Sequence, residues 1–194
     1  HSLDDDEGAP VGSCGYPRTG MDLAVLGEDG ARLGPGETGE LCVRGPGVFA
    51  GYLDNPEANE TAFRGGWFHT GDLGHVDARG FVSITGRATD MYISGGSNVY
   101  PREIEELLLA APGVAEAAVV GVPDAKWGET GVAVVVPRAG ETVDPDALLR
   151  SLDGKLARYK WPSRIVVWPE LPKSAYGKVP KRLIREKLDA EKNG

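Results

Sequence analysis

Four groups of residues in this 194-residue chain carry side chains and spacings suited to chemistry on phosphate and sugar. In "GWFHTGDLG", Asp72 follows Thr70 in a stretch that reads as a glycine-flanked turn between strands, and a carboxylate held there can accept two hydrogen bonds, as a ribose diol would offer. An Asx-turn aspartate is the plain alternative. In "GRATD", Arg87 brings an always-charged fork suited to phosphate or ribose oxygens, or to a surface ion pair. Gly95 and Gly96 in "ISGGSNV" offer bare backbone that lets a ligand approach closely, or simply a tight turn. Lys178 in "LPKSAYGKVPKRLIRE" follows a glycine and precedes a helix, which suits a mobile ammonium for neutralising phosphate charge, or one more exposed lysine. That segment is not a Walker A loop, since Val179 follows the lysine where that motif needs Ser or Thr.

Two kinds of element must position these groups. Up to residue 85 the chain predicts short strands broken by turns, at "MDLAVL", "GELCVRG", "LGHV" and "GFVSITG", with a hairpin turn at Asp77 to Gly80. One helix interrupts them, capped by Asp54 or Asn55 with Pro56 in its first turn. After Arg87 helices alternate with strands. Ile104, Leu107, Leu108 and Ala111 form an apolar stripe on a helix opened by Pro101, and Pro112-Gly113 ends it. "AEAAVVGV", "GVAVVVP" and "SRIVVW" predict strands. A helix capped by Asp144 is expected to bury Leu148, Leu149, Leu152 and Leu156, and a last one from Pro180 to bury Leu183, Ile184 and Leu188. The fold class expected is α+β: a β-rich, barrel-like subdomain over 1–86, a hinge at 87–90 and a small α+β domain over 91–194.

Composition narrows the function. The net charge of −8 argues against a nucleic-acid partner, and no apolar run reaches the roughly 20 residues of a membrane helix. The charge is uneven: from Lys155 to Lys187 ten Lys/Arg stand against two acids, a face for an anion or for solvent. Cys14 and Cys42 lack metal or disulfide spacing and are read as packing residues of a cytoplasmic protein. His1, His69 and His75 show no zinc spacing with them, so no metal site is expected. The chain opens without methionine in a polar stretch, and a piece of a longer protein is expected.

The order of the motifs is more specific than any one of them. "GELCVRGPGVFAGYLDNPEANETAF", "WFHTGDLG", "GRATDMYISGGSNVYPREIEE" and "LPKSAYGKVPKRLIRE" together resemble the carboxyl-terminal part of the adenylate-forming superfamily, which includes acyl-CoA synthetases, peptide-synthetase adenylation domains and firefly luciferase. The resemblance implies a two-step reaction in which a carboxylic acid, ATP and CoA are the small-molecule partners. Carboxylate attack on Mg-ATP gives an acyl-adenylate and pyrophosphate, and a thiol then takes the acyl group and releases AMP. It implies that Asp72 binds the ribose hydroxyls, that Arg87 contacts ribose and phosphate, and that Lys178 is the catalytic lysine of the first step. Gly95 and Gly96 would line the pantetheine channel of CoA. The small domain would swing about Thr89, a position where the family usually has Asp or Lys. The Mg²⁺ ligands, the phosphate loop and the acyl pocket are expected outside this chain, which alone should not turn over. Asn98, where peptide-synthetase domains tend to be basic, favours a CoA ligase of fatty or aryl acids over a peptide-synthetase adenylation domain. A stand-alone module that binds a nucleotide, CoA or a protein is the alternative from another class.

Overall fold

Clusters of turn residues between short apolar runs produce ten strands and four α-helices, seen here in a computed structural model that describes residues 10, 12–174 and 177–193. The polar opening, 1–9, and Ala175 and Tyr176 within the lysine motif lie outside the described residues. The chain divides into two compact units, one ending at Thr89 and the other beginning at Asp90.

The first unit is a five-stranded antiparallel sheet built from β1 (Ser13–Gly15), β2 (Asp22–Leu26), β3 (Gly39–Arg44), β4 (Phe68–Val76) and β5 (Val82–Arg87). Its order is β1-β5-β4-β3-β2, with β1 and β2 as the two edges. The barrel-like subdomain expected from the sequence is therefore an open sheet among the described residues, and β1, three residues long and irregular in register, is too short to carry pairing further. Val25, Leu41 and Val82 form one core cluster and Ala24, Leu26 and Cys42 another, as the period-2 alternation of strands requires. Helix α1 (Pro56–Ala62) starts as expected, with Asn55 rather than Asp54 as its cap: its side chain accepts from the Ala58 N–H at 3.1 Å. Cys42 is fully buried, whereas Cys14 is exposed and so is not the packing residue the sequence suggested.

The second unit holds β6 (Tyr92–Ser94), β7 (Ser97–Val99), α2 (Pro101–Leu109), β8 (Val114–Asp124), β9 (Gly128–Pro137), α3 (Pro145–Arg150), β10 (Arg164–Val167) and α4 (Lys181–Asn193). β9 is central, with β8 antiparallel on one side and β10 parallel on the other. The β9 to β10 connection carries α3, the crossover that a parallel pair needs. Both faces of β8 and β9 are covered, which explains their unbroken apolar runs. Val119, Ala133 and Val135 pack with Ile104, Leu108, Leu148 and Leu152, and Val120, Val132 and Val134 pack with Ile184 and Leu188. Helix α3 is shorter than predicted. The Asp144 cap forms, but the helix stops at Arg150, so Leu152 and Leu156 reach the same core from the turns that follow. Tyr92 crosses the Gly121 and Gly131 cross-strand pair, where a Cβ would lie 2.4 Å and 2.3 Å from it, so both glycines are needed for space.

Candidate functional site

In the first unit the site begins with an irregularity of β4. Cys42 pairs with His69 and Glu40 with Leu73, so three residues of β4 stand opposite the single residue Leu41. Asp72 is thus not in a turn between strands, as the glycines suggested. It sits in a bulge within one continuous strand, because Gly71 at φ +72° bends the chain without ending the pairing.

Side chains hold this bulge from both sides. The Thr70 hydroxyl donates to the Leu41 carbonyl at 2.7 Å and accepts from the Asp72 N–H at 3.0 Å. Glu40 accepts from the Gly71 N–H at 3.1 Å, bonds His69 Nδ1 at 2.7 Å and pairs with Arg64 at 3.0 Å. Asp72 and Arg87 are cross-strand partners of β4 and β5, and Arg87 Nη1 meets Asp72 Oδ1 at 2.6 Å. Two of the sequence-predicted residues are therefore brought together, a carboxylate acceptor beside a guanidinium donor, at 29 % and 57 % side-chain exposure. An open cleft of about 610 Å³ lies beside the bulge, lined by Glu40, Tyr52, Arg64, His69, Thr70 and Gly71 among others.

Cross-strand register also creates a contact that sequence spacing did not reveal. Cys42 Sγ lies 3.3 Å from His69 Nδ1, and Glu40 completes a group whose ligand atoms lie within 4.8 Å of one another. The absence of metal spacing along the chain therefore did not mean that such residues stand apart. A thiol, an imidazole and one carboxylate already paired with Arg64 do not suit the all-oxygen octahedral shell of magnesium. Burial first, and then the Glu40 charge, push the Cys42 thiol up to about 12. A buried thiol raised in this way stays protonated at neutral pH, the form that is not the nucleophile.

In the second unit β6 and β7 form a hairpin whose two central residues are Gly95 and Gly96, at φ +57° and +81°. Two positive φ values are what a two-residue primed turn requires. The Gly95 N–H donates to the Trp127 carbonyl at 2.9 Å, and a Cβ on Gly95 would lie 2.9 Å from the Trp127 ring. Trp127, half exposed, is the neighbour that sequence reasoning missed. Its signal was present: in "PDAKWGE", Asp124 accepts from the Lys126 and Trp127 N–H groups, an Asx turn that aims the indole.

Lys178 is exposed in the loop before α4. The Ser174 N–H donates to the Lys178 carbonyl at 2.8 Å, and Gly177 takes φ +74°. Thr89 is exposed in the short 3₁₀ turn Ala88–Asp90, at the end of the first unit. The basic run is less of an open anion surface than its charge count suggested. Lys160 pairs with Glu103 at 2.7 Å, Lys173 with Glu116 at 2.9 Å, and Lys181 with Glu105.

Comparison with known proteins identifies the motifs. Residues 1–53 match the AMP-binding enzyme family and residues 103–178 the AMP-binding enzyme C-terminal domain. The chain is 47% identical over 176 residues to an indoleacetate–CoA ligase of Aromatoleum aromaticum, covering 91% of this chain and 34% of that protein. It is 40% identical to a long-chain-fatty-acid–CoA ligase of Mycobacterium tuberculosis, covering 97% of this chain and 37% of that one. Among solved structures it superposes on ATP-bound MatB from Rhodopseudomonas palustris with a TM-score of 0.85 at 45% identity, over 91% of this chain and 35% of that one. The chain spans about a third of the length of the relatives it matches.

Proposed function

We infer that this chain, which belongs to the adenylate-forming superfamily of AMP-binding enzymes, works within an ATP-dependent ligase that joins a carboxylic acid to CoA. The observation that carries this reading is the Asp72–Arg87 pair. A diol acceptor and a phosphate donor stand on neighbouring strands with a salt-bridge distance of 2.6 Å, held by a bulge that the local sequence builds.

In this reading Asp72 accepts the two ribose hydroxyls of ATP, and Arg87 turns to the ribose and the adjacent phosphate. Lys178 bridges the carboxylate and α-phosphate oxygens as negative charge gathers between them during adenylate formation. Gly95 and Gly96 then leave room for the pantetheine arm whose thiol attacks the acyl carbon and releases AMP. The segment 87–90 is the hinge between these steps and Thr89 its pivot, with 1–86 the end of the large domain and 91–194 the mobile one. Magnesium accompanies ATP as substrate, on ligands other than those described.

Fatty or aryl acids are the favoured substrates. Asn98 supports this, as do relatives whose names specify indoleacetate and long-chain fatty acids. The test is a panel of fatty and aryl acids given to the full-length enzyme with ATP and CoA. One AMP and one pyrophosphate per CoA thioester are expected. Thioester formed with ADP and phosphate instead, or none with any acid, contradicts the reading.

A further inference from the structure

Strand β8 pairs with β9 alone among the described residues, so alternate residues turn their N–H and C=O away from the sheet. At Val119 both outward groups are taken up by side chains. Glu105 of α2 accepts from the Val119 N–H at 2.7 Å, while Lys181 of α4 donates to the Val119 carbonyl at 2.7 Å and to the same Glu105 oxygen. A helix from each face of the sheet thus meets at one residue of its open edge. Two residues along, Arg185 Nε donates to the Gly121 carbonyl at 3.1 Å. Four helical residues rise about 6 Å and two strand residues about 6.8 Å, so α4 can lie along the edge with both anchors in step. Lys181 and Glu105 are 14 % and 18 % exposed at their side chains, well below the exposed pairs elsewhere in the chain.

Lys181 is three residues beyond Lys178, with Pro180 fixing φ between them. The Lys178 loop therefore has a left-handed glycine turn at Gly177 on one side and a clamp at Lys181 on the other. A lysine spent on a half-buried carboxylate and a backbone carbonyl is not available as a second phosphate ligand. We propose that Lys181, held by Glu105 and the Val119 carbonyl, is a positioning residue for adenylate formation that fixes where the Lys178 ammonium stands. The proposal rests on the role given to Lys178 above. Thioester formation does not use that ammonium, so it does not need the clamp.

The experiment measures the two half-reactions separately in the full-length enzyme, as ATP–pyrophosphate exchange and as conversion of supplied acyl-adenylate to CoA thioester. Lys181→Met is expected to lower exchange about 30-fold or more and thioester formation less than about 3-fold. Lys181→Arg should stay within about 3-fold of the parent in both. Glu105→Gln keeps an acceptor for the Val119 N–H and should show the same split in weaker form, so it decides the matter should Lys181→Met not fold. In the 194-residue chain, Lys181→Met should speed amide exchange at Ser174, which is bonded to the Lys178 carbonyl, about 10-fold. Equal loss of both halves in a folded variant, loss of neither, unchanged Ser174 exchange, or unfolding of both variants would each overturn the proposal. A parent enzyme that performs neither half would instead defeat the functional reading on which it rests.

Discussion

Exposed ion pairs stabilise a fold by only about 0–1 kcal/mol, so the Asp72–Arg87 pair, 29 % and 57 % exposed, has little structural reason to be so close. That asymmetry separates binding from stability. Asp72→Asn in the full-length enzyme should raise KM for ATP about 10-fold or more and shift Tm by no more than about 2 °C, read from initial rates and a melting curve. A large fall in Tm with unchanged KM would make the pair a structural one. Cys42 gives a prediction of opposite kind. Its thiol is raised from 9.0 to about 12 in the folded state by burial first, so the protonated form is the one the fold favours. The stability it contributes is complete below pH 9 and is lost as pH rises from 9 towards 12, because the unfolded chain ionises first. Denaturant midpoints should fall over that window more steeply in the parent than in Cys42→Ala, where the buried Tyr92 hydroxyl, also raised, still titrates. At pH 8 a thiol reagent should find only Cys14 in the folded chain and both cysteines in the unfolded one. Asp72, Arg87 and Lys178 stand out in the sequence as candidates because their types and glycine neighbours are local properties. The bulge and the Cys42–His69 contact were not, because cross-strand register is absent from a linear spacing.

At the scale of elements, the strands and helices followed from periodicity and caps wherever the pattern was long. Pro101, Asn55 and Asp144 each start a helix where they stand. The error at α3 is informative: leucines at helical spacing continued past Arg150, but a buried leucine needs only to reach the core, and turns place Leu152 and Leu156 there as well. The two glycine pairs of the second unit do different work. At Gly121 a Cβ would meet the Tyr92 Cβ at 2.4 Å, so Gly121→Ala should cost about 1–3 kcal/mol of overpacking, measured by chemical denaturation. A loss under about 0.5 kcal/mol would show that the ring can yield. At Gly95 the constraint bears on the proposed thiol channel. A side chain there is strained by φ +57° and blocked by Trp127 at 2.9 Å, so Gly95→Val in the full-length enzyme should slow conversion of acyl-adenylate to thioester far more than pyrophosphate exchange. Spared thioester formation would refute the channel assignment.

At the scale of the whole molecule, the division between Thr89 and Asp90 falls within the segment where a β-rich pattern gives way to alternating helices and strands. The motifs of the first unit and those of the second are each built locally, and the functional reading requires them to act on one substrate in turn. The 194-residue chain by itself should show no ATP–pyrophosphate exchange with any carboxylate; robust exchange would mean that these two units hold a complete adenylation site. The hinge proposed at residues 87–90 could not be read from their propensity, because a hinge depends on energies between domain arrangements. It can be reached through the chemistry of one side chain. In the full-length enzyme, Lys178→Ala should abolish adenylate formation, with pyrophosphate exchange reduced about 100-fold or more, while supplied acyl-adenylate is still converted to CoA thioester at close to the parental rate. Equal loss of the two half-reactions would contradict the account.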